Sequence, residues 1–111
     1  KIIKLLIKSG ANPNSLSDNG NTALHGSIFR SSIPRVKALL ENGADPNLCN
    51  SSGFTHLIEA SRRGNLEIVK MLLEHGADPT VSHKTIETIT PLSVSKNSSI
   101  SALLRQNGAQ R

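Results

Sequence analysis

Apolar side chains return along this chain in two rhythms, one short and one long. At close range Ile68, Val69, Met71, Leu72 and Leu73 recur near the helical period of about 3.6 residues, which turns one side of a helix toward a core. Aliphatic triplets stand in the same setting earlier, as Ala38-Leu39-Leu40 and Leu5-Leu6-Ile7. Between these runs the chain is polar and rich in Gly and Pro, and the stretch 47–53, just after Pro46, reads as a hairpin-like loop. The spacing predicts a short helix over 55–62, with Gly64 turning the chain into a longer one. Glu67 in the first turn and His75 near the end of that longer helix each sit where the helix dipole favours them, and Gly76 supplies a left-handed residue to end it. One unit earlier, Ser31-Ser32 is placed to cap the second helix and Pro34 falls in its first turn, where a missing N–H costs nothing. A unit therefore reads as loop, short helix, turn, longer helix.

The long rhythm repeats that unit. Gly10-Ala11-Asn12-Pro13-Asn14 returns as Gly43-Ala44-Asp45-Pro46-Asn47 and, after an interval of the same length, as Gly76-Ala77-Asp78-Pro79-Thr80. Gly20 and Gly53, and Thr22 and Thr55, keep the same step, and a worn copy follows at Gly108-Ala109-Gln110. One helix pair cannot cover its own apolar face, whereas stacked pairs bury a continuous layer. The motifs TALH at 22–25 and TPLS at 90–93, with GNLEIVKMLL at 64–73 and its GADP ending, resemble the ankyrin repeat. The resemblance spans the chain, is most specific over 49–80 and is weaker after Val81. It implies an all-α solenoid of L-shaped helix pairs with projecting hairpins, and a binding role. The expected organisation is one domain over 1–111: a partial repeat at 1–15, repeats at 16–48 and 49–80, and a degenerate C-terminal capping repeat at 81–111. The chain begins inside what reads as a helix, so Lys1 is expected to be a cut through a longer protein.

Departures from the family pattern carry expectations of their own. His56 stands where the family has Pro and Ile58 where it has His, and Ser17, Asn50 and His83 replace the loop Asp. The hydrogen bonds linking neighbouring turns are therefore expected to be thinned, most of all in the unit containing Phe54. After His83 the loop lengthens, the short helix shrinks and Arg105 takes the place of an aliphatic residue, all features suited to a unit with one side in water.

Composition supports a thin layered core. Trp and Tyr are absent and Phe occurs twice, so the interior must be aliphatic. Cys49 is the only cysteine, which excludes an intrachain disulfide and any site of several thiolates, and suits an intracellular setting, cytoplasmic or nuclear. The opening apolar run, broken by Lys4 and Lys8, is too short to cross a bilayer, so no membrane insertion is expected. His25, His56, His75 and His83 lack metal-ligand spacing, and no nucleophile elbow, phosphate loop or zinc-protease motif occurs. Asp45 and Asp78 are one repeat apart and read as loop residues, not as a catalytic pair. No catalysis, metal or cofactor is expected. His25, in its TxLH context, is expected to bond neighbouring backbone, as the family's His does. The resemblance also marks Asn14 and Asn47 as candidate sites of asparaginyl β-hydroxylation, against the stronger reading that each is structural.

The resemblance places partner contacts on loop tips and on the exposed end of the short helix. Those positions hold Asp18, Asn19 and Asn21 in one unit and Ser51, Ser52 and Phe54 in the next, with Phe29-Arg30 and Arg62-Arg63 at the short-helix ends. Phe and Arg are common interface anchors. Phe54 is expected to be exposed. For Phe29, exposure and burial in a groove left by the missing turn Gly (Ser31 stands there) weigh equally. The leading function is protein–protein recognition by a monomeric array with a partner of unknown identity. Net charge is +5 and the pI about 9.9, so binding of nucleic acid or an acidic partner along a ridge of Arg30, Arg62 and Arg63 is the main rival. Nucleic acid is the weaker form of it, because acidic residues intersperse the basic ones and no aromatic stacking platform exists. A third reading makes the array a regulatory or targeting arm of a larger enzyme.

Overall fold

A computed structural model describes residues 21–110. Within them five helices follow in order: α1 (Ala23–Phe29), α2 (Ile33–Glu41), α3 (His56–Arg63), α4 (Leu66–Glu74) and α5 (Ser98–Gln106). The step from the start of α1 to that of α3 equals the step from α2 to α4, and it is the sequence period that separates Gly43 from Gly76. Helix α5 follows α4 at one residue less than this step. Short helices α1 and α3 pack side by side, as do the longer α2, α4 and α5, giving two rows of stacked helices: an all-α solenoid. Among the described residues the one β-type pairing is an isolated antiparallel bridge between Cys49 and Thr55. The short helix expected near 90–95 is reduced to turns, in which Thr90 still accepts the Ser93 N–H at 3.0 Å.

Local chemistry fixes where each helix begins. Thr22 and Thr55 cap α1 and α3 by accepting from the N–H three residues on, and Asn65 and Asn97 do the same for α4 and α5. Helix α2 departs from expectation: Ser32 occupies its cap position, but the side chain makes no capping bond, and Pro34 near the helix start shapes the entry instead. The turn from α3 to α4 is made by Gly64 at φ +77°, a left-handed conformation free of steric cost for Gly. The equivalent turn from α1 to α2 is made by Ser31 at φ +53°, so a side chain is held there in a conformation it disfavours.

The core is one aliphatic sheet of contacts between layers. Leu24, Ile28, Val36, Leu39, Leu57, Ile68, Val69, Leu72, Ile100 and Leu104 are buried, and Leu40 nearly so. Leu73, expected inside, is only partly buried and packs at the margin with Met71. Ala44, Ala77 and Ala109, each following a helix-ending Gly, fill the same small space in successive layers. Their N–H groups bond back to the carbonyls of Leu39, Leu72 and Leu104 at 2.9–3.0 Å.

Candidate functional site

Polar links between layers are dense where thinning was expected. His25 Nε2 donates to the Phe54 carbonyl of the next unit (3.0 Å), the backbone bond anticipated for it. His56, in the position the family gives to Pro, reaches both ways: Nδ1 donates to the Pro46 carbonyl (3.1 Å) and Nε2 lies 3.0 Å from the Thr22 hydroxyl. That hydroxyl also meets His25 Nδ1 at 3.1 Å, and its single proton can serve one ring at a time. The two imidazoles lie against each other, centroids 3.9 Å apart and planes tilted by 38°, and are fully buried. Burial, together with the adjacent His25, pushes the His56 pKa down to about 3 despite the bond to Pro46. Burial likewise lowers that of His25, against the Phe54 carbonyl and the charge of Glu59, which raise it.

The loops are stitched by the residues that replace the family's Asp. Asn50 Oδ1 accepts from the N–H groups of Ser52 and Phe54, both at 3.1 Å, while its Nδ2 donates to Asn21 Oδ1 of the preceding loop at 2.9 Å. His83 donates to the Ser52 carbonyl at 2.7 Å, and the Lys84 N–H reaches the Gly53 carbonyl at 3.0 Å. Asn47 joins its loop to the next by donating to the Gly76 carbonyl (3.0 Å) and accepting the Asp78 N–H (2.8 Å). Asn50 and His83 donate across the layers, bonds an acceptor-only carboxylate could not make, so the substitutions keep the loops linked by a different set of bonds. Asp45 and Asp78 close local loops, each accepting the N–H two residues on at 2.9 Å. The paired bonds of Thr80 hold the Asp78 carboxyl below its ordinary pKa.

The hairpin tip therefore has a fixed backbone and free side chains. Ser51 and Ser52 are exposed, whereas Asn21 is half-buried and engaged by Asn50. Asp18, Asn19 and Asn14 lie outside the described residues. Phe54 is half-buried instead of exposed: His83 packs edge-on against its ring (centroids 4.6 Å) and the Arg62 guanidinium lies over it at 4.8 Å. Phe29 is also half-buried, and the guanidinium of Arg63 from the next unit covers it at 4.7 Å while reaching the Phe29 carbonyl at 3.4 Å.

Under these arginines lies a carboxylate whose role the sequence did not reveal. Glu59 is 1% exposed, in α3 between Ile58 and Ala60. It pairs with Arg62 Nη2 at 2.6 Å and Arg63 Nε at 3.5 Å, and its Oε2 accepts no hydrogen bond among the described residues. Arg62 and Arg63 are therefore not bare charges on a solvated ridge. Each is clamped between a buried anion and a phenyl ring while its side chain stays exposed to solvent. Arg30 is exposed and joins no ion pair among the described residues. Glu59 could have been found from the repeat register, since it is the counterpart, one repeat on, of Gly26, a position with no side chain to crowd it.

The family model for ankyrin repeats in three copies matches residues 1–83. The chain belongs to the ankyrin-repeat family. Among solved structures it is similar to the ankyrin-repeat domain of Bcl-3, described as a unique member of the IκB protein family, at 30% identity and a TM-score of 0.85. That likeness covers 93% of this chain but 45% of the Bcl-3 chain, so the array here spans under half of its structural neighbour. No curated protein matches the sequence directly. Ankyrin repeats are generally protein–protein interaction modules, and no helix among the described residues is long and apolar enough to cross a membrane.

Proposed function

We propose that this ankyrin array is a non-catalytic recognition module that binds a protein partner through the hairpin tip at Ser51 and Ser52 and through the short-helix ends. The observation that carries this reading is the contrast at the tip. Asn50 and His83 immobilise its backbone, yet the serine side chains they present take little part in holding the fold. Rigidity established before binding lowers the entropy lost on association, and family membership supplies the general role. Phe29, Phe54, Arg62 and Arg63 continue this surface onto the inner row of helices. An intracellular setting, cytoplasmic or nuclear, accords with the lone thiol of Cys49.

A photo-crosslinking amino acid placed at Ser52, and separately at Lys70 on the outer helix α4, tests the proposal in cells. Adducts with a discrete protein at position 52 and none at 70 are expected. Adducts at 70 alone, or at neither position, would overturn it. Nucleic acid is disfavoured by the two phenyl rings, each already covered by a guanidinium and so unavailable for base stacking.

A further inference from the structure

Arg30, Arg63 and Lys96 stand one sequence period apart, one per layer, at the turn into each outer helix, where by the helix caps Lys96 is the counterpart of Gly64 beside Arg63. They are neighbours in space as well. Arg63 reaches back to the carbonyl of Phe29, next to Arg30 (3.4 Å), and the Lys96 side chain runs alongside Gly64, next to Arg63 (3.6 Å from where a Cβ at Gly64 would sit). All three are exposed. Stacked helices lie about 8–10 Å apart, so this ladder places one cation roughly every 10 Å over about 20 Å. Arg62 adds a fourth positive charge, and Glu59 is the one carboxylate among the described residues that pairs with the group.

From this spacing we infer that the inner edge of the array holds an acidic protein segment in a polyproline-II conformation, carrying a carboxylate at about every third residue. A polyproline-II chain advances about 3.1 Å per residue with three residues per turn, so every third side chain faces the same way and three residues match one helix layer. Both arginines stay exposed while paired to Glu59, and Phe54 and Phe29 order them before any partner arrives. Nucleic-acid phosphates lie closer together than the layers, and the covered rings offer no stacking face, so a peptide fits the spacing better. The inference rests on the recognition role proposed above and adds the partner's chemistry.

An NMR titration of the intact chain at low salt tests it with three probes: a blocked peptide with Asp at every third position, a peptide of the same composition with its three Asp contiguous, and oligo-thymidine of equal charge. The spaced peptide is expected to bind tightest, with shifts centred on the amides of residues 30, 63 and 96. Lys96→Gln and Arg30→Gln, at positions without an ion pair among the described residues, should each weaken it about two- to fivefold. Arg35→Gln on the outer helix should leave it unchanged. Equal binding of both peptides, tighter binding of the oligonucleotide, or no effect of the Arg30 and Lys96 changes would overturn the assignment. Should it fail while the crosslink at Ser52 still captures a protein, the recognition role stands and only the acidic segment is wrong.

Discussion

His56 shows how one side chain can serve the fold and also make it vulnerable to acid. Its ring fills a buried site and ties the Thr22 hydroxyl to the Pro46 carbonyl, where burial and the adjacent His25 make a charge costly. In the unfolded chain it takes up a proton near pH 6.5, and in the folded chain only near pH 3. Between those values the unfolded state holds more protons, so this contribution is complete above pH 6.5 and is lost as the pH falls. One such group gives a slope of about 1.4 kcal/mol per pH unit, and the lowered His25 acts in the same direction. His56→Pro introduces a residue well suited to the first position of α3 and carries no titrating ring. Melting temperature followed from pH 7 to pH 4 should fall less steeply in that variant. Parallel curves would show that His56 does not carry the acid sensitivity. Glu59 is the complementary case, a buried charge kept tolerable by two arginines and costly if left without them.

At the level of helices, stability lies in the aliphatic contacts between layers. Leu72 is fully buried in α4, with α2 on one side and α5 on the other. Leu72→Ala should cost about 2–5 kcal/mol, read from the midpoint shift in urea. A loss under about 1 kcal/mol would mean that the layer collapses around the gap. The helices were legible in the sequence because their determinants are local: spacing of apolar residues, capping Thr and Asn, and Gly at the turns, all repeated in register. Loop bridges were less legible. A loop Asp can be replaced by Asn or His without loss of bonding, since what matters is a donor or acceptor within reach, and family pattern alone scores such a change as a defect. The clamp on Arg62 and Arg63 was hidden for another reason. It depends on a carboxylate buried at a helix position where Glu is rare, and on rings contributed by two successive units. Lys96 was legible in principle, one period beyond Arg63, but it lies where the repeat itself is worn.

At the scale of the whole molecule, each unit is supported by its neighbours, so protection should vary along the array. In the free chain, amides of the central unit should exchange slowest, α4 lying between α2 and α5 and α3 between α1 and the turns near 90–95, and those of α5 faster. A partner bound along the inner edge should then add protection there while leaving the outer row unchanged. Hydrogen exchange of the chain alone and in complex with the protein captured at Ser52 tests this most directly. The account predicts slowed exchange at residues 52–54 and 61–64, with α2 and α4 unaltered. Slowed exchange confined to the outer helices α2 and α4 would contradict it.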